Sequence, residues 1–283
     1  MAVNRGLVLI GMGPGGIDSM TIAAIQAAIE CDLLLYESYT AMWGSEDLVL
    51  LEEIVGDVTK VMRPQIESPN WIIEEAKIKR VGILIVGDPL QATTHTDLRL
   101  RAITAGVNCD VVHGISITGL VTGAIGLSNY KFGRQTTIPY PYENWIATSP
   151  LEVIAENLYR GMHTLALLDL DPTGKGEGEQ VPMTPKSAYE ALVLMNEKMG
   201  SEDFISESAS DEGKKLAIIE IRKIEFAKLP VVICSDMGTE NQEIVYTTLG
   251  KLSDCRGGRM NCLVIPANPS EIENQALELW SKN

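Results

Sequence analysis

Short, wholly apolar runs alternate with amphipathic stretches over the first part of the chain. Such runs have no polar face, as expected for strands of a parallel sheet that helices cover on both sides. They predict strands at residues 7–10, 33–36, 81–86 and 111–113. After the first run, Ile22, Ile25 and Ile29 recur at helical spacing, with Asp18 and Ser19 as the predicted caps. The loops that follow these strands should share one edge of the sheet, where ligands bind.

The second half of the chain mixes the same patterns less regularly. Strands are predicted at residues 136–138, 165–168, 231–234 and 262–265, and helices at 150–159, 185–199 and 270–280. Residues 171–181 have no apolar period and residues 201–215 are rich in Ser, Glu and Asp, so both segments predict surface loops. We therefore expect two α/β domains, at residues 1–115 and 116–283, joined near residues 114–130.

Composition narrows the class of protein. The 283 residues are 45% hydrophobic with 25 glycines, which favours an α/β enzyme. The five cysteines are scattered singly without the spacing of a metal site, so no metal and a reducing cytoplasm are expected. No apolar run reaches the roughly 18 residues of a membrane helix, and no signal peptide is evident. The formal charge of −15 would repel a phosphate backbone, so nucleic acid is not expected as a partner.

A glycine-rich loop follows the first predicted strand. Its sequence, GMGPGG at residues 11–16, fits Gly-x-Gly-x-x-Gly between a strand and a helix, and Glu37 lies where a ribose-binding acid belongs. These features indicate an NAD-dependent enzyme as one alternative. Pro14 weakens it, because proline removes a backbone N–H from a loop that should hold pyrophosphate. A tight turn without a ligand is the other alternative.

A second distinctive stretch, GDPLQATTHTD, follows the third predicted strand. Gly87 and Pro89 shape a sharp turn that leaves Asp88 at the strand end. Residues 94–97 read Thr-x-x-Asp, a pattern typical of a capped helix start, and Gly106 is placed to end that helix. By itself this chemistry predicts only a loop at the end of a buried strand.

Further segments extend this stretch into a family resemblance. They are SYT at 38–40, RAITAG at 101–106, His113 followed by Ser116 and Ile117, YKFG at 130–133, NW at 144–145, GMHTLALLD at 161–169 and MTPKSAYEAL at 183–192. With GDPLQATTHTD they resemble the diphthine synthases, a branch of the tetrapyrrole methylase superfamily. The matching segments are dense up to residue 192 and thin after it.

The resemblance implies a two-domain α/β fold, with a parallel sheet in the N-terminal domain, a mixed sheet in the C-terminal domain and the active-site cleft between them. It also implies a homodimer that binds S-adenosylmethionine. The implied substrate is translation elongation factor 2, whose modified histidine carries a 3-amino-3-carboxypropyl arm. Repeated methylation of the arm's amino group would give diphthine.

Matched position by position, the resemblance implies a set of cofactor contacts. They are Pro14, Asp88, Gln91, Ser116, Ile117, Leu168, Met237 and Asn261. The chain departs from the family at three places: Gly-Met-Gly-Pro stands in the first loop, Asn261 replaces a histidine, and ANPS occupies residues 267–270. The first departure is shared with tetrapyrrole methylases.

Methyl transfer to nitrogen requires alignment and an escape route for a proton, and no covalent nucleophile. Asp88 and Asp169 are the carboxylates nearest the predicted site, with a loop-capping role favoured for Asp169. A general-base role for His95 or His163 competes with a structural role for each, and the structural role is favoured. Lys131 could attract a substrate carboxylate or be surface charge.

Two other functions stay open at this point. A tetrapyrrole C-methyltransferase is favoured by the first glycine loop and disfavoured by YKFG and ATTH. A protein that binds the elongation factor without catalysis is conceivable because of the departures at Asn261 and residues 267–270.

Overall fold

The structure is a computed structural model that describes residues 5–142, 145–200 and 212–281. The chain divides into two compact units. The first comprises residues 1–119 and 175–180, and the second residues 120–174 and 181–283. The described residues contain no helix that is both long and apolar enough to span a bilayer. Asn144 of the NW segment and residues 201–211 of the second predicted loop lie outside the described residues.

The first unit is built on a parallel sheet, as predicted, and this sheet has five strands where four were predicted. Its strands are β1 (Gly6–Gly11), β2 (Leu33–Glu37), β3 (Val58–Val61), β4 (Arg80–Ile85) and β5 (Cys109–Val112). They lie in the order β3-β2-β4-β1-β5, with every pair parallel. All six residues of β1 are buried, and an apolar cluster covers each face of the sheet. Burial on both faces explains why these strands carry no alternation.

Helices pack on both faces of this sheet. They are α1 (Ile22–Ile29), α2 (Ser45–Val55), α3 (Arg63–Glu67), α4 (Asn70–Ala76), α5 (His95–Thr104) and α6 (Ile117–Ala124), whose last residues belong to the second unit. The predicted caps of α1 are wrong. Thr21 is the N-cap, and its hydroxyl accepts a hydrogen bond from the amide of Ala24, whereas Asp18 and Ser19 lie in a short 3₁₀ turn.

The start of α5 also differs from its predicted pattern. Thr94 is the N-cap residue, but its side chain makes no capping hydrogen bond. Gly106 follows the helix with φ +77°, a conformation that glycine adopts without strain. The predicted end of the helix is therefore confirmed, and the predicted Thr-x-x-Asp cap is not formed.

The second unit contains a mixed sheet, as predicted, and this sheet has five strands where four were predicted. Its strands are β6 (Thr136–Ile138), β7 (Thr164–Leu168), β8 (Pro230–Ser235), β9 (Glu243–Thr248) and β10 (Asn261–Ile265). They lie in the order β6-β7-β10-β8-β9, and only β6 and β7 pair in parallel. One large apolar cluster forms the core of this unit.

Four helices accompany the second sheet in the described residues. They are α7 (Ser149–Tyr159), α8 (Pro185–Met199), α9 (Glu212–Ile221) and α10 (Glu271–Glu278). The predicted loop at 201–215 is wrong for its last residues, because α9 begins at Glu212. At α10, Ser270 and Glu273 form a reciprocal capping box.

Candidate functional site

Three loops meet at the carboxyl edge of the parallel sheet. Because β4, β1 and β5 are neighbours, the segments after Gly11, Ile85 and Val112 lie side by side. Gly13 and Gly87 exchange backbone hydrogen bonds of 3.2 and 2.8 Å. A Cβ atom at Gly11 or Gly114 would collide with the backbone of the neighbouring loops. The glycines therefore let three chain segments pack backbone against backbone.

In this packing, backbone amides that could bind a phosphate already donate hydrogen bonds within the protein. The amide of Met12 donates to Ile85 O, that of Gly13 to Gly87 O and that of Gly15 to Ser19 Oγ, while Pro14 has none to give. A pyrophosphate site requires free amides at a helix N-terminus.

The remaining parts of a dinucleotide site are also occupied. Helix α1 begins only at Ile22, with its first turn already capped by Thr21. Glu37, the proposed ribose ligand, is fully buried, and it accepts hydrogen bonds from the amides of Tyr39 and Thr40 and from the Thr40 hydroxyl. The first loop is therefore suited to a ligand without phosphate, and the geometry disfavours the NAD reading.

Asp88 links the loop after β4 to the end of β5. Its side chain is buried, and Oδ1 accepts a hydrogen bond from the amide of Leu90 at 3.0 Å. Oδ2 accepts one from His113 Nδ1 at 2.8 Å. A carboxylate has further lone pairs, so Asp88 keeps capacity to bind a ligand at this edge.

Gln91 links the same loop to the start of α6. Its Oε1 accepts a 2.6 Å hydrogen bond from the Thr118 hydroxyl. Thr118 in turn lies 2.9 Å from Ser116, oxygen to oxygen. Ile117 is the first residue of α6, between these two. The structure thus brings together Asp88, Gln91, Ser116 and Ile117, beside the loop that holds Pro14.

His95 is an anchor of the loop after β4. The residue is fully buried, and its Nδ1 donates to Pro89 O at 3.2 Å and lies 2.6 Å from the Thr93 hydroxyl. Burial lowers the pKa of His95, although the nearby charge of Glu37 opposes that shift. Nε2 is buried too, without a hydrogen-bond partner among the described residues. A neutral, enclosed imidazole suits the structural role.

In the second unit, the predicted contacts lie at one end of the mixed sheet. Leu168 ends β7, Asn261 begins the antiparallel β10, and Met237 follows β8. Asn261 is almost fully engaged within the protein. Its Oδ1 accepts from Ser235 Oγ and Gly258 N, both at 2.8 Å, and its Nδ2 donates to two backbone carbonyls. Contact of these three residues with a cofactor stays a prediction.

Asp169 has the loop-capping role that the sequence favours. One oxygen accepts from the amides of Leu170 and Asp171 at 2.8 and 3.1 Å, and the other from the amide of Tyr140 at 3.2 Å. These bonds fix the turn after β7. The carboxylate is thereby a turn-forming group, as short acidic side chains often are.

Lys131 and His163 meet at a carboxylate that sequence reasoning missed, Glu273. Lys131 Nζ donates to Glu273 Oε2 at 2.8 Å and to Asn268 O at 2.9 Å. His163 is fully buried, and its Nδ1 accepts from the amide of Ala267 at 2.9 Å, so its Nε2–H donates to Glu273 Oε1 at 3.1 Å. The charge of Lys131 is already balanced by Glu273, which argues against the alternative that Lys131 attracts a substrate carboxylate.

The electrostatics of this network favour a charged Glu273 and a neutral His163. Burial alone raises the pKa of Glu273, but hydrogen bonds from Lys131, Ser270, Ser128 and His163 outweigh it and hold the pKa well below its usual range. Burial lowers the pKa of His163, against the opposing effect of the Glu273 carboxylate. The arrangement joins the YKFG and GMH segments to residues 267–270, so these motifs have a structural function.

Comparison with known proteins gives consistent matches over most of the chain. The family model of the tetrapyrrole (corrin/porphyrin) methylases matches residues 6–253. The diphthine synthase of Methanothermobacter thermautotrophicus is 33% identical over 268 residues, which cover 94% of this chain and 92% of that protein. The diphthine synthase of Methanocaldococcus jannaschii is 31% identical, with 98% and 99% covered. A crystal structure of diphthine synthase matches with a TM-score of 0.78 at 27% identity, covering 97% of this chain and 95% of that one.

Proposed function

The chain belongs to the family of tetrapyrrole (corrin/porphyrin) methylases and is a methyltransferase, and we propose that it acts as a diphthine synthase. It takes the methyl group from S-adenosylmethionine. The acceptor is the amino group of the 3-amino-3-carboxypropyl arm on a modified histidine of translation elongation factor 2. The choice of acceptor is supported by the similarity to diphthine synthases over nearly the full length of both proteins.

The carboxyl edge of the first sheet carries the proposal for the cofactor. The amides of the first glycine loop donate hydrogen bonds within the protein, while the buried carboxylate of Asp88 lies at the same edge. S-adenosylmethionine has a positively charged sulfur, an amino group and no phosphate, so it fits a carboxylate and does not need free amides. When bound it supplies an activated methyl group. Asp88, Gln91 and the Ser116–Ile117 segment would hold it, and Leu168, Met237 and Asn261 are proposed as further contacts.

For this reaction the protein has mainly to align the methyl donor with the acceptor amine and to allow a proton to leave the amine. Methyl transfer is an in-line displacement, and holding both reactants at the correct distance and angle accounts for much of the rate. The backbone packing at Gly11, Gly87 and Gly114 gives the loops a rigid base for this purpose. A site with fixed loops and a charged binding residue suits methyl transfer between two bound molecules.

We also propose that the protein works in the cytoplasm, where its acceptor is found, and as a homodimer. Light scattering coupled to gel filtration tests the second point, since a monomer mass at micromolar concentration would contradict it. The excess of acidic residues suits attraction to a basic surface on the acceptor protein.

The rival within the family is a tetrapyrrole C-methyltransferase. It is favoured by the Gly-Met-Gly-Pro loop and by the family model itself. The two activities differ in the atom that receives the methyl group, because a ring carbon replaces the amine. Offering each acceptor with the same labelled cofactor discriminates between them.

The test is methylation of elongation factor 2 that carries the unmethylated arm, followed by mass spectrometry. We expect whole methyl increments on the modified histidine, and none on a factor whose target histidine is replaced. Asp88→Asn should lower the affinity for S-adenosylhomocysteine in calorimetry about tenfold or more, because the amino group of the ligand loses a charged hydrogen-bond acceptor. Asp97→Asn, a change on the exposed face of α5, should not alter it.

Two results would overturn the proposal. Transfer to a tetrapyrrole but not to the elongation factor would establish the rival activity. Absence of any heat of binding with S-adenosylhomocysteine, together with retained binding of the elongation factor, would establish a non-catalytic binding protein.

A further inference from the structure

The chain has three histidines, and the structure gives them different environments. His95 and His163 are both fully buried, each fixed by hydrogen bonds within the protein. His113 stands at the end of β5, and its side chain is 70% exposed. Only an accessible nitrogen can exchange a proton with a bound substrate, so His113 is the histidine that merits a chemical role.

The contact with Asp88 fixes which nitrogen of His113 faces outward. An ionised carboxylate can only accept a hydrogen bond, so Nδ1, 2.8 Å from Asp88 Oδ2, carries the proton. The neutral ring then has its unprotonated lone pair on Nε2. Because most of the ring is exposed, this lone pair points away from the buried Asp88. An oriented imidazole with a carboxylate behind it is the arrangement by which proteins set the tautomer of a base.

His113 also lies next to residues that are proposed to bind the cofactor. Asp88 and Gln91 belong to one loop, Ser116 and Ile117 begin the next helix, and His113 is joined to the first of these through its hydrogen bond. Asp88 is the charged group that contacts the ring. It would stabilise the imidazolium that proton uptake creates.

We infer that His113, oriented by Asp88, is the catalytic base that removes the proton from the acceptor amine before each methyl transfer. This inference rests on the proposed function. His113 Nε2 takes a proton from the ammonium group and leaves a free lone pair on nitrogen. That pair forms the new N–C bond as the C–S bond breaks, and the electrons of that bond stay on sulfur as S-adenosylhomocysteine leaves. The imidazolium then releases its proton to solvent.

A catalytic base is required for methylation of the amino group of the arm but not for methylation of its carboxylate. A carboxylate oxygen already has a free pair at neutral pH, so its methylation requires no base. Every transfer to nitrogen, including the last one that gives a quaternary ammonium, begins with removal of a proton. His113 should therefore matter for N-methylation and not for any ester formed on the same arm.

The experiment compares wild type, His113→Ala and Ile115→Ala on elongation factor 2 that carries the unmethylated arm. Ile115 is an exposed residue of the same loop and is the matched control. We expect His113→Ala to lower the N-methylation rate at neutral pH about 10²–10⁴-fold, the usual contribution of a general base. Its affinity for S-adenosylhomocysteine in calorimetry should change less than about threefold.

Two readouts distinguish a base from a structural residue. The rate of His113→Ala should recover as the pH is raised, because the acceptor amine then loses its proton to solvent without a base. Added imidazole should restore part of the rate of His113→Ala, because the exposed position leaves room for it, and should leave Ile115→Ala unchanged.

The outcomes are separable. If wild type methylates the factor and His113→Ala keeps its rate at neutral pH, the inference is wrong while the proposed function stands. If His113→Ala loses rate without rescue by imidazole, and loses cofactor affinity to the same degree, His113 is structural and the inference is again wrong. If wild type itself is inactive on the factor but binds the cofactor, the proposed function has failed.

Discussion

Glu273→Gln tests the buried network of the second unit. Glu273 is 4% exposed and accepts hydrogen bonds from Ser128 N, Lys131 Nζ, His163 Nε2 and Ser270 N at 2.9, 2.8, 3.1 and 2.7 Å. The amide of glutamine replaces one acceptor oxygen by a donor. Whichever way the amide turns, two of these donors lose their acceptor, and the other two bond to a neutral oxygen.

The size of the effect follows from this count. A hydrogen bond to a charged group contributes about 1.5–3 kcal/mol, so losing two gives roughly 3–6 kcal/mol. Lys131 is one third exposed and can turn toward solvent, which offsets part of the loss. We expect the free energy of unfolding to fall by about 3 kcal/mol. For a chain of this size, the melting midpoint should drop roughly 6–12 °C.

The assay is urea unfolding followed by circular dichroism, beside two controls. Lys131→Met removes one partner and leaves three donors on the carboxylate, so it should cost about half as much. Glu271→Gln alters an exposed carboxylate of the same helix and should stay within about 0.5 kcal/mol. A loss below about 1 kcal/mol for Glu273→Gln, or a larger loss for Lys131→Met, would show that the network does not stabilise the fold as described.

Three further predictions concern stability. The lowered pKa of His163 means that the unfolded chain binds more protons, so stability should decrease as pH falls below about 6.5; the lowered pKa of Glu273 adds a second loss below about 4.5, and urea midpoints at pH 8, 6 and 4 would measure both. A flat profile would contradict this. Thr21→Ala should cost about 1 kcal/mol in the same assay, because α1 loses its N-cap. Gly114→Ala should cost roughly 1–3 kcal/mol through backbone collision, whereas Gly119→Ala, where a Cβ meets nothing within 4 Å, should cost under about 1 kcal/mol.

Eight of the ten strands in the described residues could be predicted from the sequence, and the two that could not, β3 and β9, are edge strands. The core strands such as β1 are continuous apolar runs, which are rare outside buried sheets. The edge strands β3, with the sequence VTKV, and β9, with EIVYTT, carry polar residues because one side faces solvent. Such short mixed runs resemble loops, and only pairing with β2 and β8 identifies them.

The positions of Asp88 and His113 along the chain could be related to the predicted strands, but their contact could not be predicted. Asp88 and His113 both stand at the ends of predicted strands, which is a signal that they share one edge. Their contact requires β4 and β5 to flank β1, and the order of strands in a sheet cannot be deduced from the local pattern of apolar and polar residues. The contacts of Glu273 could not be predicted either. In the sequence it is a carboxylate near the start of a helix, and only the fold brings Lys131 and His163 into contact with it.

The family motifs therefore carry two kinds of information. YKFG and GMH supply Lys131 and His163 to a network that stabilises the second unit, so they indicate the fold more than the acceptor. The departure at residues 267–270 fits the same view. His163 accepts from the backbone amide of Ala267, and Ser270 provides the cap, so neither function needs the side chains that the family has there. The residues proposed here for catalysis lie in the first unit, where Asp88 joins the loop after β4 to the exposed imidazole of His113.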